Sequence, residues 1–145
     1  MLSFLLAFEV APALTLDQSI DLARSAIAAC AAKGAPVSAA VVDATGTPIV
    51  ILRGDGVVKP PVAAPRKAAT AVKFNAAGSE LEAREATDPA FAAIIKANPE
   101  LYNAHGGSLP LYISGQLAGG LAVADTDHEI ADECARTGLA NWSAN

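Results

Sequence analysis

The stretch LYNAHGGSLPLYISGQLAGGLAVADTDHEIADECARTGLA, residues 101–140, decides the fold. Within it LPLYI and QLAGGLAVA are short apolar runs separated by Ser114-Gly115 alone. That is the pattern of a β-hairpin closed by a tight turn. Gly119-Gly120 weaken a strand interior, so they predict a bulge or a close approach of another backbone. Thr126 and Glu129 then have capping-box spacing, which predicts a closing helix through about Leu139.

Upstream, the same signals recur in an order that defines the domain. Thr15 and Gln18 form a capping-box pattern, Leu16, Ile20, Ala23, Ile27 and Cys30 follow at helical spacing, and Gly34 and Pro36 end the helix. PVSAAVVDATGTPIVILR, residues 36–53, predicts two strands joined by a turn at Asp43 to Gly46. Strands this apolar are expected to be buried on both faces or at a subunit contact. Pro65 fits the first position of a helix running to Phe74, with Lys67, Thr70 and Phe74 on one stripe. Ser79 with Glu82 and Asp88 before Pro89 are helix starts, and Asn98-Pro99 is a stop. The order is helix, two strands, helices, two strands, helix. Two local hairpins imply an antiparallel sheet with helices packed on it, an α+β fold in one domain.

Composition limits function. The chain has 145 residues, 52% of them hydrophobic but only 5% aromatic, and a net charge of -5. An acidic chain of pI 4.8 lacks the basic face of a nucleic-acid binder. Residues 1–13 are apolar, too short to span a bilayer, interrupted by Glu9 and without a basic start; they are expected to be an arm or extra strand, with a cytoplasmic location preferred and secretion left open. This apolar arm and the apolar first hairpin exceed what one small domain needs to cover its sheet, so a homo-oligomer is expected. Cys30 and Cys134, each among alanines in a predicted helix, read as buried small hydrophobes; they can bridge only if the first and last helices are neighbours.

The chemical candidates are few. His105 precedes Gly106-Gly107 in the loop before Pro110, where glycine backbone can approach a ligand closely. His128 stands in the first turn of the last helix beside Asp125, Asp127 and Glu129. Those four residues could hold a divalent ion, or simply cap an acid-rich helix start. Arg53 and Asp55 end the second strand, and Lys67 and Thr70 share a helix face. Together they are read either as a polar pocket wall or as a structural network. No zinc-type cysteine pairing, phosphate loop or Gly-x-Ser-x-Gly motif is present.

Four segments in order resemble the GlcG/HbpS-like family, which includes the C-terminal domain of some corrinoid adenosyltransferases. They are LTLDQSIDLARSAIAACAAKGAPVSAAVVDATGTPIV, LRGD, RKAATA and GGSLPLYISGQLAGGLAVA, and together they span most of residues 14–139. The resemblance implies a domain over 14–145 with a profilin-like fold, a sheet of about five antiparallel strands flanked by helices, and assembly into oligomers. It also implies haem as ligand, with sensing or degradation as roles. On that reading His105 is the preferred iron ligand, His128 the other candidate, and Arg53 or Arg66 the partner of the propionates. A histidine used for haem on the first helix of some relatives has no counterpart between Thr15 and Lys33. Two other functions are carried: an isomerase or lyase for a small carboxylate, with Arg53 as anchor and Lys67 or His105 moving the proton, and a non-catalytic oligomeric scaffold or stress protein.

Overall fold

The computed structural model describes residues 12–143. Nearly all of the expected N-terminal arm lies outside them. Five helices and four strands follow one another in the anticipated order: α1 (Leu16–Ala31), β1 (Ser38–Asp43), β2 (Pro48–Arg53), α2 (Ala63–Phe74), α3 (Gly78–Thr87), α4 (Pro89–Ala97), β3 (Ser108–Ile113), β4 (Gln116–Ala124) and α5 (His128–Ser143). The sheet is antiparallel throughout, in the order β2-β1-β4-β3. The fold is α+β with four strands among the described residues, so the expected count of about five is not reached within 12–143.

The local signals explain most boundaries. Thr15 Oγ1 accepts from the Gln18 N–H while Gln18 Oε1 accepts from the Thr15 N–H, a complete capping box for α1. Asp88 caps α4 through the Phe91 N–H, with Pro89 at the first helical position. Ser114 and Gly115 take φ of 51° and 78°, the left-handed pair that a two-residue hairpin turn of this twist needs. Pro65 lies two residues inside α2, still in the first turn, where no N–H is lost from the helix ladder. Two apparent capping boxes are not made. α3 has no side-chain cap, and α5 is capped by Asp127, whose Oδ1 accepts from the Glu129 and Ile130 N–H groups.

The sheet is covered on both sides. Ala39 and Val41 of β1 face the main core with α1 and α5, whereas Val42 packs with Ala68 and Val72 of α2. β1 is therefore buried on both faces, as its composition predicts, and so is most of β4. β2 is different: it is an edge strand with alternating exposure, and Ile51 is 41% exposed. At Gly120 an added Cβ would stand 2.7 Å from the Ala68 carbonyl oxygen, so the glycine lets the α2 backbone press onto the sheet. The register also breaks between Leu111 and Tyr112, so both the bulge and the close approach occur.

Cys30 and Cys134 form a disulfide, which corrects their reading as unpaired small hydrophobes. The condition set by the sequence is met, because α1 and α5 lie side by side. Ser25 Oγ also donates to the Gly138 carbonyl across this contact.

Candidate functional site

Three separate elements meet at the two histidines. α3 supplies Glu82, the loop before β3 supplies His105, and the first residue of α5 is His128. The imidazole centroids are 4.4 Å apart, and one ligand atom from each of the three residues lies within 4.8 Å of the others. Tertiary packing brings these elements together. Gly107, at φ 112°, has no room for a side chain: a Cβ would stand 2.7 Å from both Ala131 Cβ and the Val123 carbonyl. The Val123 N–H also donates to the Gly107 carbonyl, tying the histidine loop to β4.

Each donor is held from behind. His105 Nδ1 lies 2.6 Å from Asn103 Oδ1. An amide oxygen can only accept, so Nδ1 carries the proton and Nε2 keeps its lone pair. Asn103 is fixed in turn by Thr70, whose Oγ1 accepts from the Asn103 N–H and donates to the Arg66 carbonyl. Thr70 is thus a buried support of the loop. Burial and the adjacent His128 lower the pKa of His105 and favour the neutral ring, against the pull of Glu82. Glu82 accepts from the Gly106 N–H at 2.8 Å and pairs with His128 Nδ1 at 3.0 Å. Burial pushes its carboxyl up, but the Gly106 N–H and His128 outweigh this and hold it below its ordinary value.

Two cavities open at the cluster and share Thr126 and His128. One, of ≈520 Å3, is lined by Ser79, Glu82, Gly106, Asp127, Glu129 and Asp132 besides the shared pair. The other, of ≈360 Å3, is lined by Lys59, Ala63, Lys67, Asn103, Ala124 and Asp125 besides the same pair. The first end is acidic and the second carries two lysines. His128 stands at their junction; His105 lies behind it.

Lys67 is the most deeply buried charged group of the site, 3% exposed, and donates to the Val123 carbonyl at 2.9 Å. Burial pushes its pKa down to about 8, against Glu82, Asp125 and Asp132, which pull it up. The unfolded chain therefore binds this proton more tightly than the folded one. Stability from Lys67 is lowest below pH 8 and rises as the pH passes from about 8 towards the ordinary value of 10.5. Urea unfolding of wild type and Lys67→Met should show the wild type gaining about 2–3 kcal/mol relative to the variant between pH 7 and 10. A pH-independent difference would mean that burial does not shift this lysine.

The remaining candidates lie elsewhere. Arg53 pairs in register with Ser38 at the end of β2, and both Arg53 and Asp55 are exposed. Neither lines the two cavities. Arg66 is committed to Glu100 and the Pro99 carbonyl. Pro110 borders a different cleft with Leu14, Leu139 and Trp142. The isomerase or lyase reading required Arg53, Lys67 and His105 to share a cavity, and at this cluster they share none. Of the acid-rich helix start, Asp127 is engaged as the cap of α5. Glu82 was missed in the sequence, where its spacing from Ser79 reads as a helix start and nothing local marks it as a partner of residues 105 and 128.

The fold is thus α+β, with His128 and Glu82 on the wall of the acidic cavity and His105 against His128. The sequence pattern of the family described as "Haem degrading protein HbpS-like" matches residues 14–140, and the chain belongs to that family. Among solved structures it is similar to HbpS, with 35% identity over 92% of this chain and 93% of that one and a TM-score of 0.81. It is also similar to a PduOC–haem complex, with 28% identity, coverage of 89% and 94%, and a TM-score of 0.79. The Klebsiella pneumoniae protein ORFY, 21% identical with a TM-score of 0.84 over 97% and 99% of the two chains, shares the fold. No curated protein matches the sequence. No helix among the described residues is long and apolar enough to cross a membrane.

Proposed function

We propose that this protein binds haem at the junction of the two cavities, with His128 as the iron ligand. The observation that carries the reading is an imidazole standing between an acidic and a lysine-bearing cavity, in a family whose relative PduOC is described in complex with haem. The donor set fits the group. His128 Nδ1 is engaged by Glu82, which orients the ring and leaves Nε2 for iron in the neutral form. Rings 4.4 Å apart leave no space for a porphyrin plane between them, so one histidine at a time can serve. Sequence alone preferred His105 for its adjustable loop; we choose His128 because it borders both cavities. In this reading the propionates meet Lys59 and Lys67, which line the second cavity, in place of Arg53 or Arg66. Bound haem would supply a redox-active iron; the chain supplies the ligand, the cations and the walls.

Hemin titration of the purified protein, followed by absorbance, tests this. The expected result is a saturable Soret shift at one haem per chain, lost in His128→Ala and only weakened in His105→Ala. A wild-type spectrum no different from free hemin, or an unchanged titration in His128→Ala, overturns the reading. The finer architecture belongs to the same proposal: a profilin-like sheet. We also assign the protein to an oxidising compartment, because a fully buried disulfide persists there and is rare in the cytosol. Recovery of both cysteines as free thiols from native protein would contradict that assignment.

A further inference from the structure

We propose that Glu82, His105 and His128 form a binding site for a bare divalent transition-metal ion of the zinc or ferrous class, with an open coordination position towards the acidic cavity. This goes beyond the haem reading and does not rest on it. Two imidazoles and one carboxylate are the donor set that borderline ions of this class select, whereas calcium and magnesium demand oxygen alone. A tetrahedral site with bonds near 2.0–2.1 Å needs donors about 3.3 Å apart. His128 Nδ1 and Glu82 Oε1 are already at 3.0 Å, and all three donors fall within 4.8 Å. His128 is exposed and can turn towards the ion; the N–H that now bonds Glu82 gives way to it, and the proton passes to the other ring nitrogen.

The support around the donors is that of a metal centre. Asn103 fixes the His105 tautomer with Nε2 unprotonated, Thr70 fixes Asn103, and the Gly106 N–H holds the second oxygen of Glu82. The cavity beside them also carries a buried carboxylate oxygen, Asp132 Oδ1, with no hydrogen-bond partner among the described residues. Lys67 lies behind Gly107, close enough that a Cβ there would meet its Nζ at 3.0 Å. It offsets part of the acidic charge without occupying the donor positions.

The test uses metal alone, with no hemin present. The full chain, stripped with chelator, is titrated with Co2+ and read by visible d–d absorption, then with Zn2+ by calorimetry. One ion per chain with the intense bands of a four-coordinate cobalt site is expected, displaced by Zn2+. Loss of a direct ligand in Glu82→Gln, His105→Ala or His128→Ala should weaken binding by about 100-fold or more, and Asn103→Ala by about 10-fold to 100-fold. Unfolding curves of the metal-free variants identify any that fail to fold, and Asn103→Ala then decides the matter as a change that removes no ligand. Absence of stoichiometric binding, or Zn2+ affinity unchanged in both histidine variants, overturns the proposal. Since hemin enters neither titration, failure of haem binding leaves this result standing, and the reverse holds.

Discussion

Cys30→Ala/Cys134→Ala unfolds at much lower denaturant concentration than the wild type, with a loss of about 2–5 kcal/mol. The two cysteines are 104 residues apart, and the bridge closes a loop containing the whole sheet. In the chain-entropy account a loop of that length restricts the unfolded ensemble by about 4.7 kcal/mol. Both sulfurs are completely buried between α1 and α5, so alanine also leaves a small cavity in the main core. For a domain of this size the loss corresponds to a fall in melting temperature on the order of 10 °C. Reduction of the wild type should produce the same fall. A double variant as stable as the oxidised wild type would show that the bridge does not restrain the chain.

Gly138→Ala is expected to destabilise the protein by about 1–3 kcal/mol even though alanine is the better helix former by about 1 kcal/mol. An added Cβ would stand 2.5 Å from Ala26 Cα and 2.7 Å from Ala26 N, and backbone cannot swing aside as a side chain can. Ala26 and Gly138 lie one helical turn from Cys30 and Cys134, so the glycine sets the close spacing of α1 and α5 beside the bridge. Urea unfolding midpoints decide it. A midpoint equal to or above the wild type would show that the helices part freely and that the intrinsic helix preference wins.

The elements legible in the sequence are those that local chemistry specifies. Thr15 with Gln18, Asp88 with Pro89, and Ser114-Gly115 each act within four residues of themselves, and each formed as read. The failures share a different physics. Ser79 and Glu82 have the spacing of a cap, yet Glu82 gains more from a backbone N–H and an imidazole that packing delivers to it. Thr126 has the right offset from Glu129, but the adjacent Asp127 takes the capping role. The Cys30–Cys134 bridge depends on which helices are neighbours, a property of topology that no spacing encodes. The candidate site was half legible. Both histidines stood out by their rarity and His105 by its glycines, but their contact and the remoteness of Arg53 follow only from the packed fold.

The central claim is that the histidine pair is where the ligand lands. Two-bond 1H–15N spectra of 15N-histidine-labelled protein test it most directly, because the chain has only these two histidines and each ring reports its own tautomer and coordination. At pH 7 His105 should be neutral with its proton on Nδ1, as the Asn103 contact requires. Adding gallium protoporphyrin, a diamagnetic stand-in for haem, should shift the His128 Nε2 signal strongly and the His105 signals weakly, saturating at one equivalent. A porphyrin that binds while both histidine spectra stay unchanged, or one that does not bind at all, would contradict the account.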